Sequence, residues 1–132
     1  MDALIIEATA KSPAVLFDPA NMVFEISGES RPEHAAKFFE PVIQWLDQFQ
    51  SVIEAKNQSA EKSNITFIFK LSYFNSISAK FILDILKMFE RLSNPNTEVI
   101  VQWFFDKRDE DMKESGEEFA PLVNLPFEFV GQ

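Results

Sequence analysis

The chain contains no cysteine. Disulfides, a thiol nucleophile and thiolate metal sites are therefore all excluded. Glycine is scarce, with only Gly28, Gly116 and Gly131, and these form neither a GxGxxG turn nor a phosphate-cradling P-loop. A single histidine, His34, rules out most Ser-His-Asp triads and His-ligand metal centres. Positive charge is also short: 12 Lys and Arg stand against 21 Asp and Glu, for a net charge of -9. No basic stripe can neutralise a phosphate backbone, so a nucleic-acid partner is not expected. No apolar run approaches the roughly 20 residues that a membrane span requires. The opening "MDALIIEATAKS" starts acidic and has only a brief apolar stretch, unlike a signal peptide. The expectation is an acidic cytoplasmic protein with no membrane partner, no metal, no cofactor and no enzymatic activity.

What is present is apolar mass. Hydrophobic residues make up 46% of the 132 positions, and fifteen of them are phenylalanine. This is enough to build a core for a single domain spanning 1–132. A surplus of phenylalanine also leaves room for an aromatic contact surface.

The pattern along the chain predicts an α/β fold. Ala14 to Phe17 and Met22 to Ser27 read as a hairpin around the turn-forming "DPAN" at 18–21, and Leu4 to Ile6 as a short strand or arm. "SRPE" at 30–33 predicts a helix start, with Ser30 and Glu33 as a capping box and Pro32 in the first turn. That places His34 in the first turn as a surface or cap residue. Ala35, Phe38, Val42, Trp45, Leu46, Phe49 and Ile53 follow at helical spacing, with Pro41 predicting a kink or a second helical segment. The polar stretch 54–64 reads as a loop.

In "NITFIFKLSYF" (64–74), Ile65, Phe67, Phe69 and Leu71 share one face of a strand. A helix from Ser76 to Leu92 is expected to bury Ile77, Phe81, Ile85, Met88, Phe89 and Leu92. "SNPN" stops it, and "TEVIVQWFF" (97–105) forms a second alternating strand. Strand, helix and strand make a right-handed βαβ unit with parallel strands. A short helix ending near Gly116 and a last strand from Phe127 to Val130 complete the chain. The expected architecture is a mixed sheet of about five or six strands with helices mainly on one face.

Two stretches invite a chemical reading. "DKRDEDMKESGEE" (106–118) concentrates acids, but it lacks the alternating carboxylates and central glycine of a calcium loop. It reads as a solvated acidic face. "YFNSISAK" (73–80) places small hydroxyls where a strand meets a helix. Asn75 or Ser76 can cap that helix. If Asn75 caps, Ser76 is the first helical residue, and a phosphate on it would meet free backbone N–H groups and the positive end of the helix dipole. Lys80, four residues on, shares its face. From the residues alone, a simple cap and a phosphorylation site both fit.

These motifs carry a family resemblance. The run "YFN-S-x-S-x-K" leads into an amphipathic helix with "LDIL" and then a strand ending in Trp103-Phe104-Phe105-Asp106. "SPAV", "ISGESRPEHAAKFFEPVIQWL" and "DMKESGEEF" followed by "LPFEF" extend the likeness over nearly the whole chain. The sequence resembles the SiaC family of bacterial regulatory phosphoproteins, whose fold is similar to STAS domains of the anti-sigma-factor-antagonist type. The resemblance implies a phosphoacceptor at the residue after "FN", here Ser76, with Ser78 as the alternative and Tyr73, Asn75 and Lys80 as surroundings. It implies a partner kinase, a PP2C-type phosphatase and an output protein such as a diguanylate cyclase, which the unphosphorylated form binds and activates. Ile77 stands where the family usually has a third small hydroxyl residue. A different reading of the same helix start is an anion site in a small-ligand or nucleotide sensor.

Overall fold

The computed structural model describes residues 1–132. Its six strands are β1 (Leu4–Ile6), β2 (Ala14–Asp18), β3 (Val23–Ser30), β4 (Ser63–Phe74), β5 (Thr97–Phe105) and β6 (Phe127–Gly131). They form one sheet in which the spatial order is the chain order. β1, β2 and β3 pair antiparallel, while β3 through β6 pair parallel. Each parallel step is bridged by a helix: α1 (Ala35–Gln58), α2 (Ser76–Leu92) and α3 (Glu110–Phe119), the last running into a 3-10 turn at Ala120–Leu122.

Parallel crossovers are right-handed in nearly every protein. Here all three step the same way across the sheet, so all three helices fall on one face. The burial follows. Val15, Phe17, Phe24, Ile26, Ile65, Phe67, Phe69, Leu71, Val99, Val101 and Trp103 point under the helices and are almost fully buried. Their neighbours Leu16, Glu25, Ile68, Ile100 and Gln102 lie on the bare face and are half-buried. There Lys70 pairs with Glu25 at 3.2 Å and sits 4.7 Å from the centre of the Phe104 ring.

Eight of the fifteen phenylalanines are buried, and they do not scatter. Trp45, Phe17, Phe24, Phe67, Phe89, Phe69, Trp103 and Phe119 touch in succession, with Phe49 packed against both Phe24 and Trp45. Edge-to-face and offset contacts of this kind add to the area-based gain of burial.

Several expectations are corrected. Ser30 does not cap a helix: it is the last residue of β3, buried and paired with Phe74 of β4. The strand ladder satisfies its backbone, so the helix starts only at Ala35, with His34 at the N-cap making no side-chain bond. Pro32 precedes the helix, and Glu33 pairs with Lys11 at 3.2 Å. Pro41 starts no second segment, because α1 runs through it from Ala35 to Gln58. It is exposed, so the carbonyl that loses its donor can turn to water.

Phe39 rather than Phe38 is the fully buried one of that pair. The expected loop 54–64 shrinks to residues 59–62, since its Glu, Ala, Lys and Gln are good helix formers and extend α1. In α2, Ile77 is 59% exposed and Phe81 is half-buried, while Ile82 and Leu86 are in the core. Gly116 does not end α3 but lies inside it.

Gly116 is where α3 meets the sheet. A Cβ there would come within 2.5 Å of Trp103 Cδ1, so only glycine lets the helix lie against the indole. The Trp103 ring N–H donates to the Met112 carbonyl at 2.9 Å, which fixes the ring in place. We expect Gly116→Ala to lower stability by about 2 kcal/mol, in the range of core overpacking. Urea unfolding followed by tryptophan fluorescence measures this, and an unchanged midpoint would contradict the packing described.

Candidate functional site

β4 ends at Phe74, and its next residue turns the chain into α2. Asn75 has extended backbone angles (φ -87°, ψ 174°), and its side-chain oxygen accepts the Ser78 N–H at 2.8 Å. That is a standard N-cap: a short side chain takes up one of the four orphan N–H groups of the first turn. The Asn75 N–H itself donates to the Ser30 carbonyl at 3.1 Å, tying the turn to the end of β3.

The two serines of the motif have opposite environments. Ser78 is 0% exposed; its hydroxyl donates to the Ser30 carbonyl at 3.0 Å and accepts from the Ser30 hydroxyl at 2.9 Å. It is a buried clasp between β3 and α2. Pointing Ser78 at the sheet sets the rotation of α2, and so turns Ile77 outward. Ser76 is the first residue of the helix and is exposed.

Tyr73 is 47% exposed beside them. It lines a shallow cleft of about 260 Å³ with Ser72, Phe74, Asp109, Asp111, Met112 and Ser115. Lys80 is exposed one turn into the helix, and its Nζ lies 5.6 Å from the centre of the Phe81 ring. The structure thus brings Tyr73, Asn75, Ser76 and Ile77 to one surface, with Lys80 at its margin. Ser30, Glu29 and Arg31 border the same turn, and sequence reasoning missed them. Only Ser30 carried a sequence signal, its Ser-x-x-Glu spacing to Glu33, and that pointed to a helix cap instead.

The acidic stretch is a solvated rim at the same edge of the sheet. Asp109 caps α3 by accepting the Met112 N–H at 3.1 Å. Asp106 accepts the Arg108 side chain at 2.9 and 3.1 Å and the Arg108 backbone N–H at 2.9 Å. Those bonds, the side-chain ones foremost, hold its carboxyl at about 2 instead of the ordinary 3.8. No group of acidic side chains is arranged to hold a metal ion, and no helix is long and apolar enough to cross a membrane.

Ser76 thus stands exposed at a βα turn of a sheet whose helices cover one face. Comparison with known proteins places the chain. The SiaC family of regulatory phosphoproteins matches residues 6–132. An uncharacterised protein of Pseudomonas aeruginosa strain UCBPP-PA14 is 30% identical over 127 residues, covering 96% of this chain and 94% of the relative. The crystal structure of apo-SiaC from Pseudomonas aeruginosa is similar with a TM-score of 0.81 and 27% identity, over 98% of this chain and 99% of that one. SiaC in the crystal structure of the diguanylate cyclase SiaD with its activator SiaC, also from Pseudomonas aeruginosa, matches with the same TM-score of 0.81, 27% identity and 98% and 99% coverage. The chain belongs to the SiaC family of regulatory phosphoproteins.

Two predictions follow from the geometry. Ser78→Ala should cost about 2 kcal/mol, because it removes a buried hydroxyl and leaves that of Ser30 without its acceptor. Ser76→Ala should stay within about 0.5 kcal/mol of the parent, as exposed substitutions do; thermal and urea unfolding of the two variants compares them directly. The second concerns pH. A depressed carboxylate pKa stabilises the fold above the ordinary pKa, and that contribution is lost as pH falls through the folded value. For Asp106 the window is from about 4 down to about 2. Carboxyl NMR should show it titrating near 2, and Arg108→Ala should return the midpoint toward 3.8.

Proposed function

We propose that this chain is a phosphorylation-controlled interaction switch with no catalytic activity of its own. Ser76 is the acceptor, a dedicated serine/threonine kinase adds the phosphate, and a PP2C-type phosphatase removes it. The unphosphorylated form binds and activates an output protein, a diguanylate cyclase, in the cytoplasm. The observation that carries this reading is the contrast between the two serines. Ser76 is exposed at the mouth of the turn, whereas the Ser78 hydroxyl is buried and doubly bonded to Ser30. A kinase can reach the first without unfolding α2 and cannot reach the second.

Physical chemistry supports the direction of the switch. The start of a helix tolerates phosphate, because free N–H groups and the dipole favour negative charge. The modified chain therefore keeps its fold. Its surface changes instead: nearly two negative charges appear beside Tyr73 and Ile77, which are 47% and 59% exposed. Partner docking over these apolar groups would then have to strip water from a phosphate dianion, and the complex weakens. The crystallised pairing of a SiaC relative with a diguanylate cyclase supports a cyclase as the output protein.

The decisive experiment pairs labelling with binding. Incubated with the cognate kinase, the parent chain should gain one phosphate, located at Ser76 by mass spectrometry, and Ser76→Ala should gain none. Ser76→Ala should retain cyclase binding and activation, while the phosphorylated parent should bind at least about tenfold more weakly, a difference near 1.4 kcal/mol. Full labelling of Ser76→Ala, or equal affinity of the two forms, would sink the proposal.

A further inference from the structure

A phosphate on Ser76 calls for a counter-charge, and the cation nearest in sequence, Lys80, holds its Nζ 5.6 Å from the centre of the Phe81 ring. A second cation reaches the same rim from β3. The Ser30 carbonyl accepts the Asn75 N–H at 3.1 Å, and one residue further along each segment stand Arg31 and Ser76. Both are exposed. The backbone of Arg31 is pinned, since its N–H donates to the Lys11 carbonyl at 2.7 Å.

The side chain of Arg31 is only loosely committed. Its Nε donates to Glu29 Oε2 at 3.0 Å, and both partners are well exposed, at 45% and 35%. Arg108 at the same edge is the contrast, closing two side-chain bonds on Asp106 at 2.9 and 3.1 Å. An exposed pair held through one nitrogen adds little stability. The two terminal nitrogens of Arg31 stay available, and a guanidinium fork binds a phosphate dianion more strongly than it binds one carboxylate oxygen. The other charges bordering the turn from the β1–β2 and β3–α1 connections, Lys11 and Glu33, already pair with each other at 3.2 Å.

We propose that phosphate on Ser76 draws Arg31 away from Glu29, so that modification re-pairs an arginine at the carboxyl rim of the sheet. The modified surface then differs from the unmodified one in two places. The phosphate is partly neutralised and held in a fixed position, and Glu29 is released as a free acid. A partner that docks on this rim would meet both changes together. The inference rests on Ser76 being the modified residue.

The test installs phosphoserine at position 76 during translation, so it does not depend on any kinase. In 15N-labelled protein, the Arg31 Nε–H resonance should shift and become protected from solvent exchange in the phosphorylated form, while that of Arg108 stays in place. Arg31→Gln should leave the unphosphorylated melting temperature unchanged, because the residue is exposed. Phosphate should raise the melting temperature of the parent, and this gain should be smaller by several degrees in Arg31→Gln. Glu29→Gln should preserve the parent's response to phosphate. An unmoved Arg31 resonance, or an equal effect of phosphate in the parent and in Arg31→Gln, overturns the re-pairing. Failure of a kinase to label Ser76 would instead refute the assignment of the site, a separate result.

Discussion

The architecture rests on one constraint: three parallel crossovers, all of the same hand, stepping in the same direction across the sheet. Nothing else needs to be specified for the helices to share a face. With α1, α2 and α3 on one side, the inward residues of β2 to β5 meet a continuous apolar layer, and the outward residues meet water. The same constraint gathers the three turns from strand to helix at one rim. Ser30 and Arg31, Asn75 and Ser76, and Asp106 to Asp109 become neighbours there because parallel strands end at the same edge.

Within that frame, a few short contacts determine what the rim displays. The Ser30–Ser78 clasp fixes the rotation of α2 by bringing Ser78 inward, and a helix that turns Ser78 in must turn Ile77 out. Phase in a helix is not negotiable one residue at a time, since neighbours lie about 100° apart. A buried pair of hydroxyls thus controls the exposure of an isoleucine and a serine that it never touches. The glycine at 116 acts similarly at the other end of the rim, where its lack of a side chain brings α3 and its acidic first turn close to Trp103.

The legible and illegible parts of the chain divide along this line. Alternation in β4 and β5 is local and strict, so the buried faces of Ile65 to Leu71 and Val99 to Trp103 could be read directly. The family resemblance named the fold and pointed to Ser76, which local physics had left open between a cap and a modification site. The start of α1 was misread because Ser-x-x-Glu is a local signature. Ser30 instead answers to Phe74 and Ser78, partners far along the chain that no window around residue 30 contains. Ile77 was misplaced for the same reason: apolar spacing tolerates a rotation of one residue, and only the clasp breaks the tie. Arg31 carried no signal at all, since its position beside the turn exists only once β3 and β4 lie side by side.

The strand order has a meaning for how the molecule is made. All five strand pairings join consecutive strands, with none inserted later between two earlier ones. Synthesis runs from the N-terminus at roughly 5–20 residues per second, slower than the elementary steps of hairpin and helix formation. Each strand can therefore be laid against an edge already waiting when it leaves the ribosome. The sheet can grow like courses of brick, and no finished pairing has to open to admit a latecomer.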